Sequence, residues 1–364
     1  MILRILVFGC AMDFRRFVLL ILGLCCTQLI FAASLTDGPY VFLRDGQREA
    51  HWICEGKLQT RQVAVHGKIK PVCGLVPALQ LESQRTQAAD ELPQVRRWAA
   101  VSDVHGQNAL LLRLLRAQHI VDEQGNWAWR RGVLIVVGDV FDRGPNQLEA
   151  LWAIYRWAQQ ARAAGGRVEL LLGNHEIMVL TGDLRYLHEK YQAVAQLLGR
   201  SYDQLFAEST ELGAWLRARA TVLKLGDTLF THGGLHPVFA DQPIHLASIN
   251  AAFRNYLSQP SLQRDPQIAW LVGNDGPTWY RGYFAPPRAS STQVQALLKQ
   301  AKVERIVVGH TTQEQIRSFY QGGVIAIDAG LKNGERGELL VFEKGRLWRG
   351  LLDGQRVPLA LGDD

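Results

Sequence analysis

Six side chains of the kinds that bind metal ions each stand at the end of an apolar segment of the chain. They are Asp103, His105, Asp139, Asn174, His232 and His310. Imidazole nitrogens suit zinc, iron and manganese, whereas carboxylate and amide oxygens suit harder ions. A mixed nitrogen and oxygen set without thiolate therefore favours two divalent ions drawn from Mn, Fe and Zn, with Mn preferred, over copper or an iron–sulfur cluster.

Asp139 is the natural bridge between two such ions, because one carboxylate can span metals ~3.5–4 Å apart. Two ions would activate a shared water as hydroxide and hold the oxygens of a phosphate ester during in-line attack. Hydrolysis of a phosphate monoester is among the slowest uncatalysed reactions and requires up to ~10²¹-fold acceleration. The diffuse charge of the transferred phosphoryl group requires cations, and an alkoxide leaving group requires a proton.

Rigid strands and helices are needed to position these ligands, and the hydrophobic pattern of the sequence predicts where they lie. An unbroken apolar run at 133–137 and largely apolar segments at 98–101, 168–172 and 305–308 indicate buried strands. The intervening segment 147–164 predicts a helix that a Gly-Gly pair closes. This alternation indicates an α/β fold, in which binding sites lie at the carboxyl ends of the strands.

The second half of the chain continues the pattern. Segments 221–225 and 228–230 flank a Gly-Asp pair and predict a hairpin whose second arm runs into His232. Apolar runs at 324–327 and 339–342 are expected to complete the sheets. No internal repeat is evident, so one catalytic domain over 95–350 is expected, followed by a tail at 351–364.

The N-terminal part differs in composition. Residues 36–75 are rich in β-formers and turn signals, which predicts a small meander, and the polar segment 82–94 is expected to be a linker. We therefore expect a β-rich region with its linker over 35–94. Cys54 and Cys73 lie within this region, where an exported chain would pair them, although two free thiols are the alternative.

Residues 1–34 are typical of a secretory signal peptide. A basic Arg15-Arg16 pair precedes an apolar run over 17–32 and then small residues, and Met12 is a second candidate start. Export to the periplasm of a bacterium is expected, and an uncleaved membrane anchor is the alternative. These residues hold three arginines and one aspartate, so the remaining chain has a net charge of +4. This mild excess, without a basic stripe, predicts no nucleic-acid binding.

Five motifs in order along the chain resemble those of the calcineurin-like metallophosphoesterase superfamily. They are Ser102–Gly106, Gly138–Gly144, Gly173–Glu176, His232–Gly234 and Gly309–His310. Asp142-Arg143-Gly144 together with the third motif is similar to the phosphoprotein phosphatase family, and Trp279–Tyr283 resembles its bacterial, Shewanella-like branch. The resemblance covers about residues 97–345. It implies a metallophosphoesterase β-sandwich flanked by helices.

The resemblance also implies a role for each residue. One metal would be held by Asp103, His105 and Asp139, and the other by Asp139, Asn174, His232 and His310. His175 would be the general acid, with Asp142 as its partner. The groups that bind phosphate would be Arg143, Arg281 and Asn174. A structural ion pair is the alternative role for Arg143, and Arg281 lies in a loop that differs from the eukaryotic enzymes. Ile327–Gly330 carries no match to the tyrosine that follows the last ligand in those enzymes.

Three functions follow as hypotheses. The first is a phosphatase for phosphorylated protein or peptide, on serine/threonine or tyrosine, or for a small phosphate monoester. The second is a nucleotide or dinucleotide phosphohydrolase of the same superfamily. The third, of another class, is a metal- or phosphate-binding module without turnover, which the intact ligand set and His175 disfavour. Trp127 and Trp129 flank a turn and receive no role.

Overall fold

The computed structural model describes residues 35–64, 67–75, 77–82, 86–241 and 243–362. The predicted signal peptide lies outside these ranges. Within them the chain forms a two-sheet sandwich with helices on its outer faces and a small antiparallel sheet at the N-terminus. The expected fold class is confirmed. No helix among the described residues is long and apolar enough to cross a membrane.

The strands follow the apolar segments of the sequence, with short additions. In chain order they are β1 Asp37–Arg44, β2 Gln47–Cys54, β3 Lys57–Val63, β4 Lys68–Ile69, β5 Leu79–Gln80, β6 Glu91–Leu92, β7 Arg97–Val101, β8 Val133–Val137, β9 Arg167–Leu171, β10 Val222–Leu225, β11 Thr228–Thr231, β12 Arg305–Val308, β13 Arg317–Phe319, β14 Val324–Ala326, β15 Leu339–Glu343, β16 Arg346–Gly350 and β17 Arg356–Pro358. One six-stranded sheet has the order β13-β14-β12-β11-β10-β6, and the other has the order β17-β16-β15-β7-β8-β9.

The described residues also form eight α-helices. They are α1 Asn108–Ala117, α2 Gln147–Ala163, α3 Asn174–Leu180, α4 Glu189–Leu197, α5 Glu211–Arg217, α6 Leu246–Ser258, α7 Pro266–Val272 and α8 Ser291–Ala301. Leu134 and Val136 of β8 belong to the same apolar core as Leu111 of α1 and Leu151 of α2. Helices therefore cover the outer face of that sheet.

Alternate residues of the same strands fill the space between the two sheets. Ile135 and Val137 of β8 share an apolar cluster with residues of β10, β11, β12 and β14. Trp98 of β7 meets Phe230 of β11 edge to face at 5.1 Å between ring centroids. Because β8 is buried on both faces, its sequence shows the unbroken apolar run that a half-exposed strand would lack.

The N-terminal sheet, β1-β2-β3, is antiparallel and packs against the catalytic region. Trp152 Nε1 donates to the Pro39 carbonyl at 3.0 Å. Arg48 pairs with Glu211 at 3.0 Å, and both side chains are buried. A disulfide joins Cys54 and Cys73, whose Cα atoms are 5.8 Å apart, so the predicted pairing is confirmed.

One short strand lies in the segment predicted as a linker and another in the segment predicted as a tail. Glu91–Leu92, within the expected linker, pairs in parallel with Lys224 and Leu225 of β10. Arg356–Pro358, within the expected tail, pairs antiparallel with β16. Two or three residues are too few to show an alternating pattern, so the sequence carries no periodic signal for such edge strands.

Candidate active site

The six predicted ligands follow strands from both sheets. Asp103, Asp139 and Asn174 follow β7, β8 and β9 of one sheet, whereas His232 and His310 follow β11 and β12 of the other. These strands are parallel to one another within each sheet. Their carboxyl ends therefore open on one edge of the sandwich, where the polar side chains meet.

Asp139 lies at the centre of this group. Its Oδ2 is 3.1 Å from His232 Nε2 and 3.5 Å from His105 Nε2. The ligand atoms of Asp139, His232 and His310 lie within 4.8 Å of one another. The same limit holds for His105, Asp139 and His175. One carboxylate thus belongs to two possible metal-binding groups, as a bridging ligand would.

The two remaining predicted ligands lie at the border of these groups. Asp103 Oδ1 is 3.9 Å from His105 Nε2. Its other oxygen, Oδ2, accepts a hydrogen bond from the His310 backbone at 2.9 Å. Asn174 Oδ1 lies 3.1 Å from His232 Nε2. All six predicted ligands are buried, and the structure brings every one of them to the same edge of the sandwich.

Backbone carbonyls fix the orientation of the ligand imidazoles. His105 Nδ1 is 2.7 Å from the Phe141 carbonyl, and His232 Nδ1 is 2.7 Å from the Val137 carbonyl. A carbonyl oxygen can only accept, so each Nδ1 carries a proton, and each Nε2 is directed at Asp139, where it can offer a lone pair to a metal ion once it is deprotonated. This is the outer-shell arrangement that orients histidine ligands of metal ions.

The pKa values of the histidines fit metal binding. Burial lowers the pKa of His105 to about 3, so its imidazole is neutral near pH 7. Burial likewise lowers the pKa of His310 to about 2. For His232 burial also acts to lower the pKa, but the Asp139 carboxylate outweighs it and raises the value to about 10. A cation bound beside Asp139 would replace that proton, because ligands must be deprotonated.

The carboxylates respond to the same surroundings. Burial is the larger cause and the negative charge of Asp328 the next, and together they raise the pKa of Asp103 to about 7. Burial acts to raise the pKa of Asp139 as well, but the neighbouring histidines, His232 first, hold it well below its usual range. These mixed nitrogen and oxygen donors, buried and aimed at one carboxylate, fit divalent transition ions.

His175 and Asp142 form a buried pair next to this group. His175 Nδ1 is 2.5 Å from Asp142 Oδ2, and the Asp142 side chain is fully buried. His175 Nε2 faces Asp139 Oδ2 at 3.9 Å. Burial acts to lower the pKa of His175, yet Asp139 and Asp142 together raise it above its usual value. The pair therefore stabilises the protonated imidazole, the form that can donate a proton.

The backbone of the site is held in uncommon conformations. Six of the predicted site residues have positive φ, and they are Asp103 (53°), His105 (43°), Asp139 (58°), Asp142 (67°), Arg143 (65°) and His310 (62°). Positive φ is uncommon for residues other than glycine and concentrates at functional sites. Gly138 has φ of 78° and would place a Cβ only 2.5 Å from Gly173 N. The loops that carry Asp139 and Asn174 can approach because glycine has no side chain.

Glu176 holds two of these loops together, a contribution that the sequence did not reveal. Its Oε2 accepts from the backbone of Asp139 at 2.7 Å and of Gly173 at 2.8 Å. Its Oε1 accepts from Val140 at 2.7 Å. The motif places Glu176 at the first turn of α3, but nothing in the sequence says which backbone groups it reaches.

Two arginines stand at the rim of the site. The guanidinium of Arg143 lies 5.4 Å from the ring centroid of Tyr186, an exposed residue that the sequence did not single out. The Tyr186 ring also lies 5.3 Å from that of His175. Arg281 donates to the His310 carbonyl at 3.1 Å and to Thr311 Oγ1 at 3.3 Å. Both arginines are exposed, so both can meet a ligand that enters the site.

The comparisons with known proteins agree with this geometry. Residues 96–314 match the calcineurin-like phosphoesterase family, and the chain belongs to this family. It is therefore a metal-dependent phosphoesterase, and the family resemblance of the motifs is confirmed.

Similar proteins extend this agreement beyond the family match. The structure of the cold-active protein-tyrosine phosphatase of a psychrophile Shewanella sp. has a TM-score of 0.85 and 41% sequence identity, and the match covers 89% of this chain and 99% of that one. Shewanella-like protein phosphatase 2 of Arabidopsis thaliana is 25% identical over 70% of this chain and 75% of its own length. An uncharacterized protein of Schizosaccharomyces pombe is 31% identical over 67% and 75%. Similarity to bacterial symmetrical bis(5'-nucleosyl)-tetraphosphatases is shorter and reaches 38% of the chain for that of Janthinobacterium.

Proposed function

We propose that this phosphatase acts on phosphorylated protein or peptide and prefers phosphotyrosine. The observation that carries the proposal is the buried His175–Asp142 pair beside the Asp139 group. A proton donor at this place suits an ester whose leaving oxygen needs protonation. The preference for tyrosine is supported by the Shewanella enzyme, whose name states this activity and which is similar over nearly its whole length.

The predicted ligands fit two divalent ions. Asp103, His105 and Asp139 would hold one, and Asp139, Asn174, His232 and His310 the other, with Mn favoured. When bound, such ions polarise the phosphoryl oxygens and lower the pKa of a coordinated water. Intact ligand residues of this kind also disfavour a binding module without turnover.

The protein groups around the ions have separate tasks. His175 donates its proton to the leaving oxygen, and Asp142 keeps the imidazole protonated on Nδ1 with Nε2 directed into the site. Arg143 and Arg281 bind phosphate oxygens from the rim, because a guanidinium offers paired donors at the spacing of two such oxygens. Asn174 presents its amide beside His232 and completes the contacts to phosphate.

Export is part of the proposal. The leader over residues 1–34 has the pattern of a signal peptide, and the disulfide in the N-terminal region suits an oxidising compartment such as the periplasm. We keep the domain boundaries predicted from the sequence, 35–94 and 95–350 with a tail at 351–364, and note that Glu91–Leu92 and Arg356–Pro358 add edge strands to the two sheets of the sandwich. N-terminal sequencing of the exported protein tests the cleavage site, and retention of the leader would indicate an anchored protein instead.

Phosphate release from a substrate panel tests the proposed function. The mature protein with Mn is assayed on phosphotyrosine and phosphoserine peptides of matched sequence, and on diadenosine tetraphosphate, each with and without chelator. We expect chelator-sensitive release, fastest from the phosphotyrosine peptide. Release confined to the dinucleotide would favour the second hypothesis, and a faster rate on phosphoserine would contradict the tyrosine preference.

A further inference from the structure

Two adjoining cavities lie at the end of the sandwich opposite the metal-ligand group. The larger, about 850 Å³, is lined by Arg96, Arg97, Arg131 and Lys344 among others. The smaller, about 440 Å³, is lined by Lys344, Arg346, Trp348 and Arg356, and it shares Glu343 and Lys344 with the first. We call the two cavities the basic groove.

The basic groove is separate from the active site. Arg97 begins β7 and Arg131 precedes β8, whereas Asp103 and Asp139 follow the carboxyl ends of the same strands. Each strand has five residues, which span about 16 Å at ~3.3 Å per residue. A ligand in the groove would therefore not touch the residues that hold metal.

Charge is unbalanced in the groove. Its lining holds six cationic side chains and one carboxylate, Glu343, which Arg97 and Arg356 share at 3.9 and 2.8 Å. The other four cations are exposed and form no ion pair or hydrogen bond with residues that the structure describes. Six cations and one carboxylate give the lining a net charge of +5, whereas residues 35–364 as a whole have a net charge of +4. The positive excess of the chain is therefore concentrated in the groove.

The larger cavity is built on packed aromatic side chains. Arg97 lies over the ring of buried Trp129 at 5.0 Å and donates to its carbonyl at 2.8 Å. A Cβ at Gly132 would come within 2.3 Å of Trp129 Cε3, so the tight packing beneath the arginine requires glycine. Phe342 is stacked on Trp98 at 5.4 Å. Such fixed positions lower the entropy cost of binding.

We propose that the basic groove is a second anion-binding site, which takes a small ligand with two or more phosphate or sulfate groups and does not hydrolyse it. Guanidinium groups bind such oxygens in pairs, and two adjoining cavities suit two anionic groups. The larger cavity falls in the size range of small-molecule sites, about 300–1,000 Å³. No cluster of metal-ligating side chains lies in the groove among the described residues, so binding without turnover is expected.

Binding of pyranine, a fluorescent trisulfonated pyrene, tests the proposal. Pyranine is not a phosphate ester, so the active site cannot consume it. The full-length mature protein loaded with Mn is titrated and fluorescence anisotropy is recorded. We expect saturable binding that weakens at least tenfold in Arg131→Gln/Lys344→Gln, with kcat and KM for phosphotyrosine peptide unchanged.

Arg113→Gln/Lys299→Gln is the matched control, because both residues are exposed and lie outside the groove while the charge change is the same. Its affinity for pyranine should equal that of the unaltered protein. Equal affinities of the two double variants would overturn the proposal, since binding would then follow total charge or occur at the active site. Absence of saturable binding in the unaltered protein would overturn it as well.

Discussion

Asp139 and His175 contribute to the site in different ways. Asp139 faces three imidazoles and belongs to both possible metal-binding groups. His175 is paired with Asp142 and only approaches that carboxylate, at 3.9 Å. Asp139 is thus placed to bridge two cations, and His175 is placed to hold a proton.

Replacement of His175 should separate these tasks. His175→Ala is expected to lower kcat for an alkyl phosphate by about 10²–10⁴-fold, the usual contribution of a positioned acid. The loss on p-nitrophenyl phosphate should be much smaller, because its leaving group needs no proton. Steady-state kinetics on both esters measure this, with exposed His119→Ala as control. Equal losses on the two esters would contradict the role of general acid.

Tyr186 provides a second test at this scale. Its exposed ring lies beside His175 and under Arg143, where an aromatic leaving group could pack against it. An aromatic pair contributes ~0.5–1.5 kcal/mol, so Tyr186→Ala should raise KM for a phosphotyrosine peptide by about 2–12-fold. Tyr186→Phe should retain the KM of the unaltered protein. A similar rise for the matched phosphoserine peptide would exclude ring contact as the cause.

At the scale of elements, the N-terminal sheet supports the loop that carries Arg143. Asp37 of β1 is buried and pairs with Lys190 of α4 at 2.5 Å. Lys190 also donates to the Pro145 carbonyl at 2.8 Å, two residues beyond Arg143. Tyr191 accepts from the Gln147 backbone at 2.7 Å and reaches the same carbonyl at 2.9 Å. The N-terminal sheet thus contacts the active-site loop through α4.

Breaking this contact should cost stability. Lys190→Met leaves the Asp37 carboxylate buried without its partner, which usually costs ~3–5 kcal/mol. The free energy of unfolding in urea measures the loss. The double variant Asp37→Asn/Lys190→Met should recover part of it, because the buried Asp37 charge is removed together with its partner, and only the contact of Lys190 with Glu149 at 3.4 Å stays lost. A double variant as unstable as the sum of the single variants would show that the two residues do not act as a pair.

Sequence patterns predict some elements well and others not at all. Strand β8 is an unbroken apolar run and β12 is apolar after its first residue, each is followed two residues later by a predicted ligand, and α2 ends within one residue of its predicted end. Strands β6 and β17 are too short to show a period. The contacts of Asp37 and Glu176 join segments distant in sequence, so they depend on the folded chain and no local pattern reports them.

At the scale of the whole molecule, the active site exists because two sheets meet. Asp103, Asp139 and Asn174 come from one sheet, and His232 and His310 from the other. The order of the motifs along the chain identifies the residues, but only the packing of Trp98 against Phe230 and its neighbours sets the distance between the two groups. The cationic residues of the basic groove come together at the opposite end of the same sandwich, and no single sequence motif predicts them.

The central claim is that this site holds metal ions through Asp139 and needs them for phosphate release. Metal content and phosphotyrosine hydrolysis are measured together for the unaltered protein, Asp139→Asn, and the exposed control Asp45→Asn. We predict two ions and chelator-sensitive activity in the unaltered and control proteins, and loss of both ions and of activity in Asp139→Asn. Full metal content with full activity in Asp139→Asn, or activity that survives complete removal of metal, would contradict the account.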